Sequence, residues 1–213
     1  MNEFIYADTS HWEAWQREYR YGAFYIFPPP GIIEPIDQLR RKYDPKSDSY
    51  CRAHISLSEP LRAPLTDEQV QGLRDTLSSI EPFEIHYGPL RIFPPYSGVV
   101  YAITPEDALV KLRSRIHETS LIKGQQLMRE HITPHMTIAE FVTIERTHEL
   151  LEELSGRVPD GTFLCSAIEY AIPNQGFYFE RVLKLPLGKN TSNIQPCKQV
   201  LLHTPAGSRM SNP

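Results

Sequence analysis

The sequence predicts an α+β fold built as a duplicated β-α-β-α-β unit. Three observations predict it. Prolines make up 19 of the 213 residues, against a usual share of about 5%, and they fall at the edges of short patterned runs. Between them, strand-like alternation gives way repeatedly to helical spacing. The order of the runs then recurs: counted from His54 the next helical run begins 11 residues on and the next strand 29, and counted from His135 the figures are 9 and 28.

The elements follow in order. Residues 10–20, with Ser10 as cap and Trp12, Trp15 and Tyr19 at helical spacing, predict a short amphipathic helix packed against the domain. A strand at Tyr21–Phe27 ends at Pro28-Pro29-Pro30, since proline cannot donate to a ladder. A helix at Ile33–Tyr43 and a strand at Cys51–Leu57 come next. In Leu65–Ile80 the apolar positions Leu65, Val70, Leu73 and Leu77 share one helical face, and Asp67 and Glu68 occupy the first turn, where the helix dipole favours acids. Strands follow at Phe83–Phe93 and Gly98–Thr104. The second round runs helix Pro105–Thr119, strand His135–Phe141, helix Ile144–Val158, and strands Phe163–Ile172 and Phe177–Leu187. The expected organisation is an N-terminal extension over residues 1–20, one domain over 21–188 with halves of about 21–98 and 99–188, and a tail over 189–213. The tail loses all periodicity. Catalysis is expected to survive removal of both ends.

Composition narrows the function classes. With 22 Lys and Arg against 26 Asp and Glu, the net charge is −4, which argues against a broad basic field gripping long duplex nucleic acid. Three cysteines, Cys51, Cys165 and Cys197, form no CxxC pair, which suits a reducing compartment. The N-terminus lacks the pattern of a signal peptide, and no apolar run approaches a membrane span. The expectation is a soluble, cytoplasmic protein that does not engage membranes.

The chemistry rests on a phrase that occurs at matched places in the two halves. The first copy is Arg52-Ala53-His54-Ile55-Ser56-Leu57 and the second Thr133-Pro134-His135-Met136-Thr137-Ile138. On a strand, side chains alternate, so His54 and Ser56 share one face while Ile55 and Leu57 share the other; the same holds for His135 and Thr137. Two such strands facing across a cleft present two imidazoles and two hydroxyls to one phosphorus. One imidazole takes a proton from the nucleophile, the other donates one to the leaving oxygen, and the hydroxyls hold the non-bridging oxygens.

These paired His-x-Ser/Thr motifs, 81 residues apart, resemble those of the 2H phosphoesterase superfamily, which includes 2′-5′ RNA ligase-like proteins and cyclic phosphodiesterases. The resemblance spans about residues 21–188. It implies a two-lobed fold with a central cleft between pseudo-symmetric antiparallel sheets, His54 and His135 as catalytic residues, Ser56 and Thr137 as phosphate binders, and no metal or other cofactor. Serine at 56, where threonine is commoner, keeps the hydroxyl. It also implies hydrolysis or transfer at 2′,3′-cyclic phosphates, 1″,2″-cyclic phosphates or 2′-5′ linkages, without selecting among them; the leading expectation is opening of a 2′,3′-cyclic phosphate on a nucleotide or RNA terminus by a monomer. The alternatives are 2′-5′ linkages, an ADP-ribose cyclic phosphate, or a non-catalytic nucleotide-binding module.

Further residues are candidates for substrate contact. Tyr96 and Tyr178 each precede the last strand of their half. Tyr25 and Tyr101 lie on matched strands among apolar neighbours, and Arg52 shares the strand face of His54. The run Arg40-Arg41-Lys42 is expected to be a solvated helix face. His131 and His135 stand four apart, but Pro134 disfavours helix and no HExxH pattern is present, so zinc is not expected.

Overall fold

A computed structural model describes residues 4–93, 97–127 and 132–189. In chain order the elements are α1 (Ala14–Arg17), β1 (Ala23–Ile26), α2 (Pro30–Tyr43), α3 (Pro45–Asp48), β2 (Ile55–Ser56), α4 (Asp67–Leu77), β3 (Phe83–Ile92), β4 (Val99–Thr104), α5 (Glu106–His117), β5 (His135–Ala139), α6 (Ile144–Leu154), β6 (Gly161–Cys165), β7 (Ala167–Pro173) and β8 (Phe179–Pro186). The helices start where the sequence supplies caps. Thr66 and Gln69 form a reciprocal capping box at α4, with Asp67 and Glu68 in its first turn, and the Thr143 hydroxyl accepts from the Arg146 amide at α6. Pro30 opens α2, where its missing N–H costs nothing.

Two four-stranded antiparallel sheets result, in the orders β2-β1-β7-β8 and β5-β4-β3-β6. The lobes do not follow the expected halves at residues 21–98 and 99–188. Both sheets mix the halves: β1 and β2 pair up and are joined by β7 and β8 of the second half, while β4 and β5 are joined by β3 of the first half and β6 of the second. The duplication is visible as an exchange of later strands between the lobes. The expected single strand Phe163–Ile172 breaks at Ser166 into β6 and β7, which belong to different sheets. The expected helix over 10–20 shortens to four residues capped at Glu13, because Ser10 closes a turn onto the Asp8 carboxylate instead.

β2 and β5, the strands of the repeated phrase, are the edge strands of the two sheets. Alternation holds on both. Ile55, Leu57, Met136 and Ile138 are fully buried, whereas His54, Ser56, His135 and Thr137 are half-buried. Burying those four apolar side chains supplies about 2 kcal/mol each, which anchors the opposite face.

β1 is set by a close approach at its start. Gly22 has φ 67°, and a Cβ there would overlap the Ala171 carbonyl of β7. Gly31, in the first turn of α2, has open space around it. Gly22→Ala should therefore lower stability by about 2–3 kcal/mol, while Gly31→Ala should raise it by roughly 0.5–1 kcal/mol. Urea unfolding midpoints of the two variants should move in opposite directions.

Candidate active site

Three charged groups, two on one face of α2 and one at its C-terminal cap, position both motif strands. Asp37, Arg40 and Asp44 follow at i, i+3 and i+7, and all three are buried. Asp37 accepts from the Ala53 amide at 2.7 Å, just before His54. Arg40 donates to the carbonyls of Cys51 (2.9 Å), Ser47 (2.9 Å) and Thr137 (2.7 Å), and its Nε lies 3.8 Å from Asp37. Asp44 caps α3 through the Ser47 amide and accepts from the amides of Glu140 (2.7 Å) and Phe141 (2.9 Å), just after β5. One helix thus grips the backbone on either side of the cleft.

The two histidines are held alike. His54 Nδ1 donates to the Arg52 carbonyl at 2.7 Å and His135 Nδ1 to the Thr133 carbonyl at 2.8 Å. A carbonyl only accepts, so in each neutral ring the proton resides on Nδ1 and the lone pair on Nε2. His54, Ser56, His135 and Thr137 line one cavity of about 160 Å³ together with Tyr25 and Arg40. Around it the environments differ. His54 is packed by Tyr25 (ring centroids 4.7 Å apart) and Phe27 (6.0 Å), and His135 by Phe93 (4.0 Å). Burial pushes the His54 imidazole down to about 4 against the pull of its Arg52 carbonyl partner, and the charges of Arg40 and His135 act in the same direction as burial.

Tyr25 pairs with Ser56 across β1 and β2 and faces the cavity. Tyr101 does not: it pairs with Met136 on the far face of β5 and is buried against Tyr87, 5.4 Å between centroids. Tyr178 is not among the residues that line the cavity, although its neighbours Phe177 and Phe179 are. Arg52 is drawn away by ion pairs to Asp37 (2.6 Å) and Glu34 (2.8 Å). It lines a separate cavity of about 230 Å³ that contains none of the motif residues. Tyr96 and His131 lie outside the described residues.

Arg40, assigned above to a solvated face, is 2% exposed. Its signal was its spacing: it falls on the stripe of Ile33 and Ile36, away from Arg41 and Lys42. The reading also missed the aromatic residues Trp15, Tyr19, Tyr50, Phe141, Phe177 and Phe179, and Glu140, all of which line the cavity. Trp15 and Tyr19 belong to the N-terminal segment, so that segment is part of the cleft wall. Burial raises Cys51 and Cys165 to about 12, which leaves both thiols protonated and poor as nucleophiles. Among the described residues, no group of three or more His, Cys, Asp or Glu is arranged to hold a metal ion. No helix among them is long and apolar enough to cross a membrane.

A two-lobed α+β fold that brings one His-x-hydroxyl strand from the edge of each sheet to a shared cavity defines a protein of the 2H phosphoesterase class. Residues 28–175 match the model of the 2′-5′ RNA ligase superfamily, and the chain belongs to that superfamily. It is 29% identical over 136 residues to an Oceanobacillus iheyensis protein named "Putative phosphoesterase", covering 62% of this chain and 75% of that one. A Bacillus cereus protein of the same designation is 30% identical over 122 residues, 54% of this chain and 66% of that one. Among solved structures, a phosphoesterase superposes with a TM-score of 0.51 at 16% identity, covering 78% of this chain and 97% of that chain. Escherichia coli LigT complexed with 3′-AMP gives 0.50 at 17% identity, covering 78% and 96%.

Two predictions follow from this geometry. Arg40→Ala strips three backbone carbonyls of their donors and leaves Asp37 with Arg52 as its cationic partner, so it should cost about 3–5 kcal/mol in urea unfolding. His54 and His117, the latter also pushed down to about 4 chiefly by burial, bind protons less readily folded than unfolded. Their contribution is complete above about pH 6.5 and is lost as pH falls toward 4. The unfolding midpoint should drop between pH 7 and pH 5, and His54→Asn should drop less.

Proposed function

We propose that the protein is a metal-independent phosphodiesterase that opens 2′,3′-cyclic phosphates of nucleotides or RNA ends. The observation that carries this reading is the pair of imidazoles, each held through Nδ1 by the carbonyl two residues upstream, on one cavity with Ser56 and Thr137. His54, kept neutral by its surroundings, takes the proton from a water that attacks phosphorus. His135 as imidazolium protonates the departing ribose oxygen, so a monoester and a free hydroxyl leave. Ser56 and Thr137 hold the non-bridging oxygens as charge builds there.

The charge of the cavity supports a diester substrate. Its lining holds one arginine, whose terminal nitrogens are taken by backbone carbonyls, and one carboxylate, Glu140. Such a site suits a single negative charge better than a polyphosphate or a long backbone. That the structural neighbour LigT was solved with 3′-AMP supports the same reading, since opening a 2′,3′-cyclic phosphate at its 2′ oxygen yields a 3′-monophosphate. The superfamily's description favours a second reading, transfer or hydrolysis at a 2′-5′ linkage, in which the same two imidazoles act on a different diester. On either reading the protein works as a cytoplasmic monomer.

Incubation with 2′,3′-cyclic nucleotides, 2′-5′ oligoadenylate and ADP-ribose 1″,2″-cyclic phosphate, with EDTA present, tests the assignment. Turnover should persist in the chelator, and His54→Ala or His135→Ala should lower kcat about 10²–10⁴-fold. The acid limb of the pH profile should lie below the ordinary imidazole range near 6.5, because His54 stays deprotonated as pH falls. Loss of activity to EDTA, or variants as active as the parent, would defeat the proposal, and turnover of none of the three would leave a binding module.

A further inference from the structure

The cleft has a second wall that the acid–base pair does not explain. The N-terminal segment lies across one end of the domain: Phe4 packs edge-on against Tyr170 (5.3 Å) and Tyr6 against Tyr21 (5.1 Å). Tyr6 also accepts from the Leu65 amide at 2.9 Å, and the Trp12 indole donates to the Gln175 carbonyl at 3.2 Å. This docking brings Trp15 and Tyr19, one turn apart, onto the cavity that holds the histidines.

Phe177 organises what they meet. Its ring lies 5.0 Å from Trp12, 5.1 Å from Trp15, 5.4 Å from Tyr50 and 5.5 Å from Phe179. Its backbone has φ 63°, a left-handed conformation that a bulky residue adopts only when the surroundings demand it. The demand is visible: Asn174 holds the turn by accepting from the amides of Gly176 and Tyr178, both at 3.0 Å. On the rim, Trp15 is 39% and Phe141 44% exposed, and both meet Tyr50 edge-on at 5.8 and 5.9 Å. The Lys46 ammonium lies 4.2 Å from the centroid of the Phe141 ring, and the rest of these exposed ring surfaces, beside a polar cavity, is what a planar ligand covers.

Trp12, Trp15, Tyr19, Phe177 and Phe179 all fall outside residues 28–175, the stretch that matches the superfamily model. We propose that Trp15, Tyr50 and Phe141 form a nucleobase subsite, completed by the N-terminal segment, so that the substrate is a nucleoside-bearing cyclic phosphate with a purine preferred. This rests on the reading of the cavity as a phosphodiester site. Stacking tolerates any base and grows with ring area, which gives the purine preference. A sugar cyclic phosphate without a base on the reacting ribose leaves the wall uncovered.

The test compares adenosine 2′,3′-cyclic phosphate with methyl riboside 2′,3′-cyclic phosphate, which lacks the base. In the parent protein kcat/KM should favour the adenosine substrate. Trp15→Ala should lower that preference about tenfold, the scale of one base–aromatic stack, and the change should fall in KM. A loss equal on both substrates would assign Trp15 a merely structural role and overturn the subsite, as would an unchanged preference. A second measurement does not depend on turnover. The chain has two tryptophans, of which Trp12 is buried and Trp15 is on the rim. Titration with 3′-AMP should quench fluorescence in the parent and not in Trp15→Phe, and ribose 3-phosphate should quench neither. Quenching by 3′-AMP in a protein that turns over no diester would sustain the subsite and defeat the phosphodiesterase reading; turnover without quenching would do the reverse.

Discussion

The buried Arg40 guanidinium is the constraint on which the site depends. β2 and β5 end separate sheets, so no ladder of hydrogen bonds sets the distance between the two motifs. A single cation that reaches the carbonyls of Cys51 and Thr137 at once supplies that distance instead. A charge so deep in the protein is costly unless paired and hydrogen-bonded; the three carbonyls take its terminal nitrogens, while its Nε has the Asp37 carboxylate at 3.8 Å and no hydrogen bond among the described residues. The arrangement is correspondingly unforgiving, since every donor group that could be lost leaves a buried partner behind. Asp37 and Asp44 extend the same grip to the amides of Ala53, Glu140 and Phe141, so the segments leading into β2 and out of β5 share one rigid helix as their frame.

Exchange of strands between the lobes gives that frame its pseudo-symmetry. The antiparallel pairs β1–β2 and β4–β5 each carry a motif to a sheet edge, with β7 and β8 completing the first sheet and β3 and β6 the second. Local chain geometry is then repeated faithfully, down to the Nδ1 bond with the carbonyl two residues upstream. What duplication does not repeat is the packing around each ring. Tyr25 and Phe27 pack against His54, and Phe93 packs against His135. Different neighbours give two identical side chains different surroundings, which is how one residue type can take two roles in the proposed reaction.

Much of this was legible because it depends on period. The alternation in His54-Ile55-Ser56-Leu57 and His135-Met136-Thr137-Ile138 states which side chains share a face, and the capped amphipathic runs state where α4 and α6 lie. The failures have a common physical cause: they concern which partner a side chain finds. Arg52 shares the strand face of His54 in sequence, yet Glu34 and Asp37 of α2 capture it. Tyr101 lies among apolar neighbours on β4, and only the register with Met136 reveals that it points into the core. Ser166 interrupts an apolar run without glycine or proline, so the change of sheet between β6 and β7 leaves no local mark. The aromatic wall joins residues 15, 50, 141 and 177, and no window of sequence contains them.

The electrostatics of the cleft tie these features to the proposed chemistry. Arg40 supplies positive potential but spends its terminal nitrogens on backbone carbonyls, so a phosphate in the cavity meets its field and not its fork. Direct contacts to the anion then fall to Ser56, Thr137 and whichever imidazole is charged. On the proposed chemistry, His54, whose burial disfavours its protonation, serves as the base, and the group that attracts the substrate is also the one that protonates the leaving oxygen. In that proposal, binding of the diester and activation of its leaving group draw on one proton, and the modest net charge of the chain, −4, suits a site for a single phosphate.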